Sequence, residues 1–211
     1  MKRGEMCYIC GQPATTGKGD HVPPKALFPK PRPSNLITVP CCATCNGSYS
    51  LDEEYFRNNI LMVSDYRHAE QVWKTTKRSL SYSPGLQRDL LTRISPVRIG
   101  THNLARLDFD ASRTDRVLVK IARGLVYHHS GHRLLDIISA EAQQTEELPD
   151  GIRSITNQLR LRGRCGNTFC YMGGIAAEDP ECSLWILVFY VSKVFVVSFG
   201  ADAETPTQDQ T

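Results

Sequence analysis

With 211 residues, of which 41% are hydrophobic and 22% charged, the chain has the composition of a folded globular protein rather than a disordered one. Its formal net charge of +3 is too small to indicate a nucleic-acid partner from the overall field, so any such surface must be local. The chain starts without an apolar leader segment, which favours a reduced, cytoplasmic setting in which the eight cysteines bind metal rather than form disulfides.

The chain opens with two cysteine pairs separated by a proline-rich stretch. Cys7 and Cys10 form one C-x-x-C pair, and Cys42 and Cys45 form the other. Paired thiolates at this spacing are the usual ligands of a closed, tetrahedral zinc site. Cys41 directly precedes the second pair and does not fit the C-x-x-C spacing. We therefore expect a structural Zn²⁺ ion, bound by the four paired cysteines, to hold the two ends of the stretch together.

Polar groups suited to hydrolysis lie between and beside these pairs. Asp20 and His21 are adjacent in a short predicted strand, and a second strand is predicted over 36–39. Asn46 follows the last cysteine directly. Closing the zinc site would make these separated residues neighbours.

In this order the residues resemble the HNH nucleases, a family with a ββα-metal fold. The resemblance covers roughly the first quarter of the chain. It rests on Cys7, Cys10, Asp20, His21, Pro24, Asn35, Cys42, Cys45 and Asn46. It implies a metal-dependent endonuclease that hydrolyses DNA and leaves a 5′-phosphate and a 3′-hydroxyl. A single C-x-x-C pair would be equally typical of a zinc ribbon or a redox protein.

The resemblance also implies a role for each group. Asp20 and Asn46 would hold the catalytic ion through side-chain oxygens, and so few oxygen ligands suit Mg²⁺ or Mn²⁺. His21 is the predicted general base, because imidazole accepts a proton near neutral pH. Asn35 would correspond to the family's central asparagine, which holds the loop carrying the histidine; an ordinary turn residue is the alternative. Asn46 stands where histidine is frequent, which leaves the ion preference open.

The next segment predicts a helix over about 51–63. Ser50 and Glu53 form a capping-box pattern ahead of helically spaced apolar residues. The acidic residues at its start suit the positive end of the helix dipole. The alternative is that Glu53 or Glu54 reaches the nearby metal ion. Further predicted elements are helices over 66–80 and 86–94 and a strand over 104–109.

A helix predicted over about 113–129, with Ser112 and Asp115 as its capping pair, carries a basic stripe. The stripe consists of Arg113, Arg116, Lys120 and Arg123. Cations spaced along one helix face can follow a polyanion, so these residues are candidate nucleic-acid contacts. A solvated helix face is the alternative.

Three histidines follow near the end of this helix. The sequence favours a dipole interaction at the helix C-terminus over a second metal site for them, since no carboxylate or cysteine is close in sequence. They are His128, His129 and His132.

The C-terminal part predicts a small antiparallel sheet with strands over 167–175, 184–191 and 194–199. Its long apolar run contains Lys193 and is rich in β-branched and aromatic residues, which indicates buried strands rather than a membrane span. Three further cysteines in apolar surroundings are interpreted as small buried hydrophobic residues. They are Cys165, Cys170 and Cys182.

The sequence as a whole predicts an α+β protein. A zinc-clipped ββα-metal (HNH) module is expected over 1–63, a mixed helical and antiparallel-sheet domain over 64–200, and a disordered tail over 201–211. DNA is the expected partner, RNA stays open, no membrane contact is expected, and the oligomeric state is undetermined. A role in phage defence or in a mobile element is a hypothesis.

Two other classes of function compete with the nuclease. A zinc-knuckle module that binds nucleic acid or protein without cutting would leave Asp20, His21 and Asn46 unexplained. A thiol-redox role for Cys7 and Cys10 would require a strand-to-helix turn, which the neighbouring prolines and glycines disfavour.

Overall fold

The structure is a computed structural model, and it describes residues 5–14, 19–64, 66–82, 84–135, 139–145 and 147–200. The predicted tail over 201–211 lies outside the described residues.

A short hairpin presents the Asp20-His21 pair, as predicted. Strand β1 (Asp20–Val22) pairs with β2 (Ile37–Val39) in an antiparallel register that sets His21 opposite Thr38. The proline-rich connection between the strands contains a single-turn 3₁₀ helix (Lys25–Leu27). Proline restricts this connection to short, interrupted elements, which is why the two strands are only three residues long.

Two consecutive helices follow the hairpin. Helix α1 (Ala43–Ser48), which the sequence did not predict, begins at the second cysteine pair, and α2 (Ser50–Val63) matches the prediction for 51–63. The Cys42 sulfur caps α1 by accepting a hydrogen bond from the backbone N–H of Cys45. A thiol in this role is not a recognised capping signal, so sequence rules overlook the start of α1.

The capping box predicted for α2 does not form. The Ser50 hydroxyl donates instead to the Gly47 carbonyl in the preceding turn, and α2 has no side-chain cap. Glu53 is drawn into the protein by a buried lysine, so its carboxylate is unavailable to the helix start.

The middle of the chain contains two helices and a hairpin. Helices α3 (Tyr66–Tyr82) and α4 (Pro84–Thr92) confirm the two predicted there. Strand β4 (His102–Leu107) confirms the predicted strand, and its partner β3 (Ile94–Ile99) was missed because Pro96 indicated a boundary. A proline is tolerated in a two-stranded hairpin, where each strand leaves one edge without a ladder partner.

Helix α5 (Ala111–Ser130) is the central helix of the fold. Its N-cap is Asp110, which accepts from the backbone N–H of Arg113, rather than the predicted Ser112. It ends where Gly131 adopts a left-handed conformation, with φ of 70°.

The C-terminal part forms a five-stranded antiparallel sheet in the order β5-β9-β8-β7-β6. Strands β7 (Phe169–Ile175), β8 (Ser183–Phe189) and β9 (Lys193–Gly200) confirm the predicted ones. Strands β5 (Ser139–Thr145) and β6 (Leu161–Cys165) add to its two edges, and a short helix α6 (Asp150–Ile155) lies between them in sequence. Both edge strands contain few apolar residues, so their sequences do not show a strand pattern.

These elements confirm the α+β class. The buried residues form one continuous hydrophobic core, which runs from Tyr8 beside the first cysteine pair through Phe56 of α2 and Leu118 of α5 to Trp185 of the sheet. The core therefore crosses the predicted module boundary between residues 63 and 64. In the described part of the chain, no helix is both long and apolar enough to cross a membrane.

A glycine allows α5 to lie directly against the strand that carries His21. A Cβ atom added at Gly124 would lie 2.4 Å from Cγ2 of Val22, the last residue of β1. Real atoms do not approach so closely, so only glycine fits at this contact between helix and strand.

We expect Gly124→Ala to destabilise the fold by about 1–3 kcal/mol, because the overlap with Val22 outweighs the better helix propensity of alanine. The double variant Gly124→Ala with Val22→Ala should recover part of the loss relative to the sum of the single changes. Urea unfolding measures both.

Gly85→Ala is the matched control, since nothing lies within 4 Å of an added Cβ at that helical glycine. It should leave stability unchanged or raise it slightly. Equal losses at positions 85 and 124 would show that the close packing of α5 on β1 is not what requires glycine.

Candidate functional site

The two predicted cysteine pairs meet in space. The sulfur atoms of Cys7, Cys10, Cys42 and Cys45 all lie within 4.8 Å of one another, and those of Cys10 and Cys42 are 3.7 Å apart. A tetrahedral zinc site with Zn–S bonds of about 2.3 Å would separate neighbouring sulfurs by about 3.8 Å. The four thiols therefore fit a structural metal site.

Local backbone geometry holds the thiols in place. The first pair flanks a tight turn in which the Gly11 N–H donates to the Cys7 carbonyl at 2.9 Å, with Gly11 at a φ of 71°. Burial acts to raise the pKa of Cys7, but hydrogen bonds from the backbone at Cys10 and Cys42 outweigh it and lower the pKa to about 7. Burial raises the pKa of Cys45, so the thiols of the cluster do not ionise alike.

Cys41 is a fifth cysteine beside the cluster. It is fully buried, and its sulfur lies 3.8 Å from that of Cys7. Burial raises the pKa of Cys41, so this thiol stays protonated and packs in the core.

The residues predicted to do chemistry share one cavity of about 380 Å³. Asp20, His21 and Asn46 all line it, together with Glu53 from the first turn of α2 and Lys25 from the 3₁₀ helix. We call it the Asp20 cavity. An imidazole, two carboxylates, an amide and an ammonium group thus surround a space large enough for a phosphate group and its water shell.

A buried ammonium group fixes the acidic side of this cavity. Lys120 of α5 is 1% exposed, and its Nζ lies 2.7 Å from Oδ2 of Asp20 and hydrogen-bonds to Oε1 of Glu53. Burial acts to lower the pKa of Lys120, but the attraction of the two carboxylates outweighs this, so the pKa lies above its usual range. Lys120 therefore stays charged and ties together α5, β1 and α2.

A tyrosine completes the support of Asp20. The Tyr8 hydroxyl donates to Oδ2 of Asp20 at 2.8 Å, on the same oxygen that Lys120 contacts. Within the described residues, no hydrogen bond or ion pair engages Oδ1 of Asp20. The carboxylate is therefore held through Oδ2 by two groups, Tyr8 and Lys120.

His21 is half-buried in the wall of the same cavity. Burial lowers the pKa of His21, and the positive charge of Lys25 lowers it further against the opposing effect of Asp20. The imidazole is therefore neutral near pH 7 and able to accept a proton.

Asn35 lies apart from the Asp20 cavity. Its side-chain amide donates to the Arg164 backbone carbonyl at 2.8 Å, and its backbone carbonyl accepts from the Cys165 thiol at 3.6 Å. These contacts tie the end of the proline-rich loop to strand β6. Its role in holding the histidine loop stays a prediction.

The predicted basic stripe on α5 is not a uniform surface. Arg113 and Arg116 bind the Asp52 carboxylate at 2.7 Å and 2.5 Å, and Arg123 donates to the Leu135 carbonyl at 2.9 Å. Lys120 departs from the expectation altogether, since it lies in the interior. Of the two arginines that bind Asp52, only Arg116 clearly faces solvent, with 48% of its side chain exposed.

The three carboxylates at the start of α2 have different surroundings. Asp52 binds the two arginines of α5, Glu54 pairs with Arg57 on the surface at 3.4 Å, and Glu53 lines the Asp20 cavity. The helix-dipole interpretation fits the first two, and Glu53 is the one of the three that shares a cavity with Asp20 and His21.

Of the three histidines at the end of α5, His129 makes structural contacts that differ from the predicted dipole interaction, which stays a prediction. Nε2 of His129 lies 2.9 Å from the Tyr171 hydroxyl, and the ring stacks on Trp185 with centroids 5.9 Å apart. Across the described residues, the four cysteines are the one group of three or more His, Cys, Asp and Glu side chains close enough to share an ion.

The remaining cysteines differ in burial. Cys165 is buried, as predicted, whereas Cys170 and Cys182 are half-buried. The Cys182 thiol donates to the Asp179 carboxylate at 3.0 Å, so it is a polar contact rather than a core residue.

Sequence reasoning missed the contribution of Tyr8 and the burial of Lys120. One signal for Lys120 was present: it shares the buried face of α5 with Val117 and Gly124, at helical spacings of three and four. A lysine in such a position is buried only when carboxylates accompany it.

No family model, curated protein or solved structure matches this chain.

Replacing Lys120 should destabilise the protein strongly. Lys120→Met leaves the buried Asp20 and the partly buried Glu53 without a counter-charge, which costs about 3–5 kcal/mol. Thermal and urea unfolding measure the loss.

Lys74→Met is the matched control, because its ion pair with Glu70 on α3 joins side chains that are 66% and 43% exposed. It should change stability by less than about 0.5 kcal/mol. A similarly small effect of Lys120→Met would contradict the central place given to the buried ammonium group.

Proposed function

We propose that the chain is a metal-dependent endonuclease of the HNH type that hydrolyses phosphodiester bonds in DNA. The observation that carries the proposal is the Asp20 cavity, in which the predicted base His21 and the predicted ion ligands Asp20 and Asn46 come together. The β1–β2 hairpin followed by a helix supports an HNH module, as does the cysteine cluster at its base.

The residues of the cavity divide the chemistry between them. His21 is neutral and takes the proton of the attacking water. Asp20 and Asn46 would hold Mg²⁺ or Mn²⁺ through side-chain oxygens, and Glu53, which lines the same cavity, would contact one of the ion's waters. Such an ion, when bound, stabilises the charge that develops on the phosphate.

Two cations of the chain have different roles at the cavity. Lys120 neutralises the buried ends of Asp20 and Glu53, so that both carboxylates keep one orientation. Lys25 is exposed and lines the open cavity, where it contacts the phosphate backbone of the substrate.

Zn²⁺ in the four-cysteine site acts as a scaffold. Four thiolates leave no open position on the ion, so it takes no part in hydrolysis. It fixes the turn before β1 to the start of α1, and thereby holds His21 and Asn46 across the cavity.

A second candidate function is a zinc-knuckle module that binds nucleic acid without cutting it. One observation favours it: Lys120 already balances the charge of Asp20 and Glu53, which reduces the attraction of the cavity for a divalent ion. Cleavage assays separate the two functions, since both predict binding and only the nuclease predicts hydrolysis.

We expect the purified protein to cleave DNA with Mg²⁺ or Mn²⁺ and to lose this activity with a chelator. His21→Ala should lower the rate by about 10²–10⁴-fold, because general-base catalysis contributes that much. A panel of plasmid, linear, branched and single-stranded DNA, with RNA forms alongside, measures both the rate and the preferred substrate.

His128→Ala, at an exposed position on α5, is the matched histidine control and should cleave at the rate of the unaltered protein. Bound zinc and melting temperature should be unchanged in both variants. Full activity in His21→Ala, or no cleavage of any substrate by the unaltered protein, would refute the nuclease and leave the binding module.

Zinc removal should unfold the N-terminal part. Cys45→Ser should lower the zinc content well below one ion per chain and decrease the melting temperature, because a structural zinc site contributes several kcal/mol of folding energy. Metal analysis and thermal unfolding measure this.

Cys182→Ser is the control, since its thiol contacts Asp179 far from the cluster in sequence. It should retain zinc. If Cys45→Ser keeps a full complement of metal, the four cysteines do not form the zinc site.

A further inference from the structure

The proline-rich loop between β1 and β2 carries positive charge without any negative charge beside it in sequence. Residues 21–51 contain no aspartate or glutamate, and their only lysine and arginine residues lie in this loop. They are Lys25, Lys30 and Arg32, and all three are exposed. We call them the loop cations. Among the described residues, no carboxylate forms an ion pair with any of the three.

The cations of the predicted stripe on α5 have different surroundings, because carboxylates of the protein already bind most of them. Arg113 and Arg116 share Asp52, and Lys120 is buried between two carboxylates. A paired cation must give up its partner to bind a phosphate, whereas a solvated cation exchanges only water and counterions. The loop therefore offers more accessible positive charge to a polyanion than the stripe does.

Contacts at both ends fix the loop, and prolines stiffen it between them. The buried Tyr190 hydroxyl donates to the Leu27 backbone carbonyl at 2.8 Å, and the Asn35 side-chain amide donates to the Arg164 backbone carbonyl at 2.8 Å. Three prolines over 29–33 restrict the backbone between these contacts. A preorganised loop loses little conformational entropy on binding, so more of its electrostatic attraction contributes to affinity.

Arg32 is held in a way that leaves its terminal nitrogens available. Its Nε donates to the backbone carbonyl of Lys25 at 3.1 Å, and Lys25 lines the Asp20 cavity. In the described part of the chain, neither Nη atom of Arg32 has a hydrogen-bond partner. A guanidinium group with both Nη atoms unused can bind two oxygens of one phosphate.

We propose that the loop cations form a phosphate-binding surface along which a DNA strand reaches the Asp20 cavity. Arg32 binds one phosphate through its two Nη atoms, next to the phosphate that Lys25 contacts at the cavity, and Lys30 neutralises a further one. The choice of DNA as the partner rests on the proposed function. The binding itself requires no hydrolysis, so it holds for a nuclease and for a binding module alike.

Fluorescence anisotropy with a labelled DNA duplex tests this surface. Zinc-loaded protein is titrated at several salt concentrations without added Mg²⁺ or Mn²⁺, so the measurement needs no turnover. Lys30→Ala combined with Arg32→Ala should weaken binding about tenfold and reduce the slope of log K against log [salt] by about 2, because each phosphate contact releases about one counterion. Zinc content and melting temperature should stay unchanged, since both side chains are exposed.

Two further variants separate a phosphate site from a general effect of charge. Arg88→Ala combined with Arg98→Ala is the matched control, because it removes the same charge from exposed residues of α4 and β3. It should leave the salt slope unchanged. Arg32→Lys keeps the charge but cannot bind two phosphate oxygens through a planar fork, so it should keep the slope and weaken binding severalfold.

Losses confined to the variants of the loop would support the proposal. It is overturned if the unaltered protein binds no DNA, if the double loop variant keeps its affinity and slope, if the matched control loses as much, or if Arg32→Lys binds as tightly as the unaltered protein. A protein that binds through the loop cations and cuts no DNA would retain this surface and lose the nuclease. One that cuts DNA without dependence on the loop would retain the nuclease and lose this surface.

Discussion

The ion pairs of Lys120 with Asp20 and Glu53 are the interaction on which the candidate site depends. Three segments that are far apart in sequence meet at one ammonium group, which lies in the core at 1% exposure. Without it, two buried carboxylates would repel each other and the first turn of α2 would separate from β1. The same interaction orients Asp20 toward the cavity, so stability and the geometry of the proposed active site have a common origin.

The cysteine cluster and the packing of α5 on β1 hold in place the segments that surround Lys120. The four thiols clamp the turn before β1 to the start of α1, while Gly124 lets α5 approach Val22 closely enough for Lys120 to reach Asp20. Neither device creates a hydrolytic group. Together they bring His21 and Asn46 to one cavity, whose carboxylates Lys120 already holds.

Local patterns in the sequence predicted what local physics determines. Cysteine spacing predicted the cluster, helical periodicity predicted α2 and α5, and the β-branched run predicted the three inner strands of the sheet. The failures share a cause, which is a distant partner that changes the state of a residue. Glu53 pairs with Lys120 instead of forming the predicted capping box. Lys120 is buried against two carboxylates from other elements instead of lying on the predicted surface stripe. No pattern within one segment contains that information.

Paramagnetic broadening by Mn²⁺ tests the central claim most directly, because it reports which side chains surround a bound ion without requiring catalysis. With zinc in place, substoichiometric Mn²⁺ should broaden the NMR signals of the His21 imidazole and the Asn46 side-chain amide. The amide signals of Asn35, which lies apart from the Asp20 cavity, should be broadened less. Broadening that spares His21 and Asn46, or that persists unchanged in Asp20→Asn, would contradict the account.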